Sequence, residues 1–386
     1  MTSEPSRLSP AERPPVPPEE TLAMPVQSLE RWSGPKPTAV DRPTGWGTRF
    51  VRLFVFGLGF AISAYGVNEM IGVVSAGGIV GLEWPLIGFF ALTFSWIALS
   101  AASGIAGFVA GFFERRPQNL DRPLSTRTAL VMPVYNESPA RTIGALEAMA
   151  EEIIERGAGD RFEIFVCSDT TDQTAWVEEE LAVDRLRRRL GERMAVWYRR
   201  RHKNTARKAG NIQDFVTRWG GRYDHMLILD ADSLMMGSTL ITLARLMEDD
   251  AKAGIIQTLP VIVNRNTLFA RLQQFAGRIY GPVIARGLAV WHGRDGNYWG
   301  HNAIIRTKAF AACCGLPELP GRKPFGGHVM SHDFVEAALI RRGGWGVYMV
   351  PWLEGSYEES PPSLLDVAMR DRRWAQGNLQ HMAIIG

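Results

Sequence analysis

Two apolar stretches near the start of the chain constrain its fold more than any other feature. One runs over residues 53–74, broken by Asn68 and Glu69, and a cleaner one covers residues 84–113. As a helix, each is long enough to cross roughly 30 Å of hydrocarbon, so two transmembrane helices are expected. Arg49 and Arg52 precede the first, Arg115 and Arg116 follow the second, and the loop between has neither Lys nor Arg. Basic residues are retained on the cytosolic side, which places both outer ends in the cytosol. Glu69, near the far end of the first span, is expected at the interface.

The residues ahead of these stretches are rich in Pro, Glu, Ser and Arg, including Pro14, Pro15, Pro17, Pro18, Pro35, Pro37 and Pro43. With few large apolar groups to bury, residues 1–48 are expected to form a disordered or extended, solvated tail. They lack the basic-then-apolar order of a secretory leader. The 386 residues suffice for a full hydrophobic core, and a formal net charge of +3 is too balanced for bulk nucleic-acid binding, so no nucleic-acid partner is expected. Arg185, Arg187, Arg188 and Arg189 lack interleaved aromatics and read as a solvated helix face. The three cysteines, Cys167, Cys313 and Cys314, form neither a disulfide framework nor a zinc pattern and are expected as reduced thiols.

Beyond residue 117, short apolar runs at 129–134, 162–167 and 225–229 alternate with amphipathic segments at 140–156 and 176–190. That order predicts an α/β fold, a mostly parallel sheet with helices on both faces. Ligands of such sheets lie beyond the carboxyl ends of the strands. The three runs end in Pro133-Val134-Tyr135-Asn136-Glu137, in Ser168-Asp169-Thr170-Thr171-Asp172 and in Asp230-Ala231-Asp232. Carboxylates two apart after a buried strand are costly unless something binds them, and hard divalent cations take carboxylate and phosphate oxygens. A metal–diphosphate site is the natural expectation. An isolated Asp-x-Asp is equally a helix cap or turn. Arg207-Lys208-Ala209-Gly210-Asn211, just upstream, adds cations and a glycine where backbone can approach a phosphate.

Taken together, these motifs resemble those of the family 2 glycosyltransferases, in the same order over residues 129–386. Gly300-His301-Asn302-Ala303 with Arg306 resembles the family's acceptor-side segment. Gly326-Gly327 followed by Ser331-His332-Asp333 resembles the position where many members have Thr-Glu-Asp, and Arg370-Asp371-Arg372-Arg373-Trp374 resembles the Gln-x-x-Arg-Trp signature of processive synthases. Arg370 in place of Gln and Ser331-His332 in place of Thr-Glu depart from the cellulose and hyaluronan synthases. With the segment 198–211 and the long tail, they point to the branch making osmoregulated periplasmic glucans. The resemblance implies a nucleotide-sugar-binding domain of the GT-A type at residues 117–386, after the paired spans at 49–116. It implies UDP-glucose as donor, a growing β-glucan as acceptor, and a multi-pass protein of the bacterial inner membrane with membrane lipid around its helices. It also allows periplasmic glucan-processing proteins as partners.

Roles follow from the chemistry and the resemblance. A bound Mg²⁺ or Mn²⁺ neutralises a departing diphosphate as a Lewis acid. Asp232 is the expected ligand, with Asp230 near the ribose or the metal. By similarity, Asp169 accepts a hydrogen bond from uracil, Lys208 approaches the diphosphate or uridine, Arg373 binds pyrophosphate, and Trp374 and Asn302 contact the acceptor. Inversion needs a base for the acceptor hydroxyl, and Asp333 is the candidate. Asp333 also opens a helix-like segment, 334–341, and could cap it. A non-catalytic nucleotide-sugar sensor would need Asp169, Lys208 and Asp232 but not Asp333; a cellulose or hyaluronan type synthase is the enzymatic rival. Processive synthases continue into further membrane helices, and an apolar segment begins at 382–385, so downstream helices are expected beyond Gly386.

Overall fold

The computed structural model describes residues 16–30, 46–114, 116–117 and 122–385; Arg115 and the tail residues 1–15 and 31–45 lie outside them. Helix α1 (Trp46–Ser75) and helix α2 (Glu83–Gly111) form an antiparallel pair, both long and apolar enough to cross a membrane. Their large apolar side chains point outward: Phe60, Tyr65, Leu92 and Trp96 are each at least two-thirds exposed. A narrow seam that includes Val55, Ala102 and Ala106 is buried between them.

The remaining elements alternate as the apolar runs require. They begin with β1 (Thr128–Val134), α3 (Pro139–Glu155), β2 (Phe162–Ser168), α4 (Gln173–Leu190), β3 (Ala195–Arg200), α5 (Arg207–Trp219), β4 (His225–Ile228), β5 (Leu234–Met235) and α6 (Gly237–Asp249). There follow β6 (Ala253–Gln257), β7 (Val261–Ile262), α7 (Leu268–His292), β8 (Ala303–Arg306), α8 (Thr307–Cys313), α9 (His332–Arg342), β9 (Gly346–Met349), β10 (Ser356–Glu358) and α10 (Leu364–Ile385). Seven strands form one sheet in the order β3-β2-β1-β4-β8-β6-β9, parallel except for β8. A strand's side chains alternate between faces, so β1 sends Leu130 and Met132 to one core and Ala129 and Val131 to the other. The first core includes Leu146, Val183 and Leu240 from α3, α4 and α6. The second is aromatic, with Phe165 4.9 Å from Phe215 and 4.8 Å from Trp219 between ring centroids. Cys167, Cys313 and Cys314 are buried free thiols within it. Arg187 and Arg188 pair with Asp184, and Arg189 with Glu147, as a solvated charged face would.

Helix α7 joins the apolar pair to the sheet domain. A Cβ on Gly107 of α2 would overlap the backbone of Val283 and Gly287, and one on Gly287 would overlap the Ser103 carbonyl, so glycine lets the two backbones touch. At the start of α1, Arg52 donates through Nε to the Trp291 carbonyl at 2.7 Å and through Nη2 to the His292 carbonyl at 2.8 Å and Asp295 at 2.7 Å. Arg286 pairs with Glu114 beyond the end of α2. Both outer ends of the pair are therefore fastened to the same domain.

One stretch of the tail departs from expectation. Residues 16–30, although largely exposed, lie docked as an extended strap against the second core. The Trp219 indole donates to the Pro17 carbonyl at 2.9 Å, Gly221 N–H to the Glu20 carbonyl at 2.9 Å, and Leu22 N–H to the Thr217 carbonyl at 3.1 Å. Val26 bridges Gly315, Gln27 N–H donates to the Gly315 carbonyl at 2.7 Å, and Arg342 Nη2 donates to the Ser28 carbonyl at 2.7 Å. Leu22 and Met24 pack on the core. Proline-rich chain lacks the apolar surface to fold alone, but here it docks through backbone hydrogen bonds that composition does not reveal. A Cβ on Gly315 would overlap the Pro25 carbonyl. Gly315→Val is therefore expected to displace the strap at a cost of roughly 1–3 kcal/mol. Limited proteolysis should then cut residues 16–30 faster than in the unsubstituted chain; equal cutting would contradict the docking.

Candidate active site

Because β2, β1 and β4 are adjacent and parallel, their carboxyl ends open on one edge of the sheet, and the polar residues that end each run meet there. Asn136 links the first two ends. It adopts a left-handed φ of 60°, which Asn tolerates better than most side chains, and its Oδ1 accepts from Thr171 N–H and Asp172 N–H at 3.0 Å each. Asp172 caps α4, accepting from Ala175 N–H at 2.8 Å.

Beneath this junction lies Glu179, buried on α4. It accepts from Ser168 Oγ at 2.8 Å and from Thr170 Oγ1 at 2.9 Å. Burial pushes its carboxyl up to about 7 despite these bonds. Between its ordinary value of 4.5 and about 7, the native state holds a proton that the unfolded chain has released, so stability falls as pH rises through this window. The loss is bounded at roughly 3 kcal/mol, complete above pH ~7 and absent below pH ~4.5. Thermal melts at pH 5 and pH 8 should differ less in Glu179→Gln; an unchanged difference would exclude Glu179 as its source.

Asp169, at the end of β2, faces a cation. Arg201 donates from Nε to Oδ1 at 2.7 Å and from Nη2 to Oδ2 at 2.5 Å, and Asp169 is only 5% exposed. At the end of β4, Ser233 Oγ accepts from Asp230 N–H at 2.9 Å and closes a tight turn. Lys208, in the first turn of α5, pairs with Asp230 and donates to the Gly300 carbonyl at 2.8 Å. Burial pushes the Asp230 carboxyl up, but Lys208 and then His301 outweigh it and hold the group below the usual range. Asp232 moves the other way, raised by burial and then by the charge of Asp230.

Two further carboxylates face this turn. Glu358 is delivered by the small sheet β5-β10-β7, and His301 Nε2 lies 3.3 Å from its Oε2. Glu358 is raised first by burial and, among its charged neighbours, by Asp232 and Asp230; Glu137 is raised by burial and then by the same pair. Four acids thus crowd one spot, and a cation would relieve them. Among the described residues, no group of three or more His, Cys, Asp or Glu side chains is arranged to hold an ion by itself. A divalent cation here would fill its shell with ligand phosphate oxygens and water, which suits hard oxygen donors.

Asp333 reaches the same site from the other side. It lies in the first turn of α9, where Ser331 takes the cap position, so the capping alternative is not realised. Gly300, at a φ of 92°, leaves space that Asp333 borders: a Cβ there would stand 3.3 Å from Asp333 Oδ2. Gly300 therefore lies between Lys208 with Asp230 on one side and Asp333 on the other. Helix α10 steadies this loop. Gln380 accepts from Met330 N–H at 2.9 Å and donates to the His328 carbonyl at 3.0 Å.

Asn302 is 0% exposed, and its Nδ2 donates to Ser356 Oγ at 3.0 Å, pinning the start of β8 to β10. Arg373 and Trp374 are exposed on α10, with Trp374 55% exposed and the Arg370 guanidinium 4.2 Å from its ring centre. Against the burial that raises Glu358, His301 first and then Arg370, the departure from Gln, act to lower it. Arg201 and Glu358 join this cluster without having been singled out from the sequence. Arg201 had a signal in the run Arg199-Arg200-Arg201, whereas Glu358 arrives through a three-residue strand that carries none.

Residues 225–385 match the family model described as glycosyl transferase family group 2, and they carry the second half of the mostly parallel α/β sheet. The chain is 52% identical over 372 residues to glucans biosynthesis glucosyltransferase H of Vibrio cholerae serotype O1, covering 96% of this chain and 52% of the relative. It is also 52% identical over 383 residues to the protein of that name from Xanthomonas campestris pv. campestris, covering 97% of this chain and 59% of the relative. The chain thus spans little more than half the length of the curated relatives it matches. Among solved structures, a mannosyltransferase from Pyrobaculum calidifontis in complex with GDP-Man and Mn²⁺ covers 74% of this chain and 73% of its own, at 21% identity and a TM-score of 0.44. That likeness carries no argument about the site.

Proposed function

We propose that this chain transfers glucose from UDP-glucose to a growing β-glucan, with inversion at the anomeric carbon, from a membrane-anchored domain facing the cytosol. The observation that carries the reading is the contact of Gly300 with both Lys208, which pairs with Asp230, and Asp333; in this reading Lys208 is the cation for the leaving group and Asp333 the base for the acceptor. The names of the curated relatives support glucose as the transferred sugar and a glucan as the product.

In this reading the acceptor hydroxyl oxygen bonds to the anomeric carbon as the bond to the diphosphate breaks. Asp333 takes the hydroxyl proton, and UDP leaves with the electron pair. Lys208, whose ammonium pairs with Asp230 and donates to the Gly300 carbonyl, would follow the departing charge. Asp232, with Asp230, would hold Mg²⁺ or Mn²⁺, which when bound supplies charge neutralisation of the diphosphate. Trp374 and Arg373, exposed on α10, would meet the glucan and the pyrophosphate only if the bound substrates extend to that helix. The fastening of both outer ends of α1 and α2 to the sheet domain through α7 supports two membrane spans with the domain on the Arg-rich side.

Calorimetric titration of the purified chain tests the donor assignment. UDP-glucose is expected to bind in the presence of Mn²⁺ and ADP-glucose is not; equal binding of both, or binding of neither, would contradict it.

A further inference from the structure

Between β3 and α5 the chain leaves the sheet and must return at an angle that sets Lys208 over Asp230. The return ends in two consecutive left-handed residues, Ala206 at φ 55° and Arg207 at φ 50°. Side chains with a Cβ rarely adopt this conformation, and two in succession persist only where the surroundings hold them. Arg201 supplies much of that hold. Beyond its two bonds to Asp169, its Nη1 donates to the Thr205 carbonyl at 3.2 Å and its Nη2 to the Arg207 carbonyl at 3.0 Å. Arg201 N–H also donates to the Ser168 carbonyl at 2.9 Å, and Asn204 Nδ2 to the Asp169 carbonyl at 2.5 Å. The two side chains of the pair are 11% and 7% exposed, so this brace is largely withdrawn from water. Both Asp169 oxygens already face the guanidinium, and a ligand base would have to share them.

We infer that Arg201 is a positioning residue for the nucleotide: braced on Asp169, it fixes the loop 201–207 and so aims Lys208 and the first turn of α5 at the diphosphate. Asp169 then serves the donor through Arg201. The inference rests on the nucleotide-sugar reading above and assigns what holds that site in shape. Only arginine fits, because a planar fork can grip a carboxylate with two parallel bonds and still reach two carbonyls, whereas lysine offers a single ammonium.

The test compares Arg201→Lys, Asp169→Asn and the double variant in the full chain, reading UDP affinity, KM and kcat for UDP-glucose, and amide hydrogen exchange. Each single variant is expected to weaken UDP binding and raise KM by about tenfold, with kcat changed much less. Exchange should quicken at residues 202–210 but not in β1 or β4, which separates loss of the brace from loss of the fold. The double variant should be no worse than either single one. Weakened binding in Asp169→Asn with Arg201→Lys unaffected, additive losses, or unchanged exchange at 202–210 would each overturn the inference. An unsubstituted chain that binds no UDP would instead sink the nucleotide reading itself, a result told apart by whether Arg201→Lys still loosens the loop.

Discussion

Asp333→Asn is expected to lower the rate of glucosyl transfer by about 10²–10⁴-fold while leaving UDP-glucose affinity within about twofold. Asn keeps the shape of the side chain and removes only its capacity to take a proton. The geometry makes this separation sharp. Asp333 borders Gly300 from α9, whereas Asp230 follows β4 and Lys208 lies on α5, so the substitution does not alter the groups read as donor contacts. Initial rates with labelled UDP-glucose, alongside equilibrium binding, check it. A variant retaining more than about a tenth of the activity would remove Asp333 from the role of base. Loss of binding together with turnover would make it part of the donor site.

Asp232→Ala carries the second large effect. It is expected to raise the concentration of Mg²⁺ or Mn²⁺ needed for half-maximal turnover by at least about 100-fold, and chelation should abolish turnover of the unsubstituted chain reversibly. The carboxyls of Asp232, Glu358 and Glu137 are raised by burial and by their neighbours' charge. Removing one of them should therefore make the metal-free protein slightly more stable, as is common where a site concentrates like charge for function. A metal titration of activity and a melt in chelator read the two effects separately. An unchanged metal requirement would place the cation elsewhere.

Legibility of the fold followed burial. Strands β1, β2 and β4 lie in the middle of the sheet, read as continuous apolar runs, and were located to within a residue or so of their ends. Their polar ends were equally visible, since Asp230 and Asp232 after a buried strand have few structural uses. Helices α1 and α2 were apparent from apolar length alone. What stayed hidden depends on contacts between distant segments. The strap at 16–30 docks chiefly by backbone bonds, with Leu22 and Met24 as its apolar anchors on the second core, so its composition reads as solvated chain. Glu358 reaches the acid cluster because β10 pairs with two-residue strands, too short to leave a periodic trace. The motif does not reveal that His301 faces the acids while Asn302 is fully buried. Asp169 was visible at the end of its strand, but its Arg201 partner lies 32 positions away and no local pattern connects the two.

The account turns on glucosyl transfer with inversion at the site around Gly300. Membranes carrying the full-length relative of this chain, or the chain itself, can be incubated with labelled UDP-glucose, Mg²⁺ or Mn²⁺ and a glucan acceptor, and the new linkage read by anomeric proton coupling. Incorporation of glucose in β linkage from the α-linked donor is expected, and it should be lost with Asp333→Asn. Incorporation in α linkage, or bound UDP-glucose with no incorporation by the full-length protein, would contradict it.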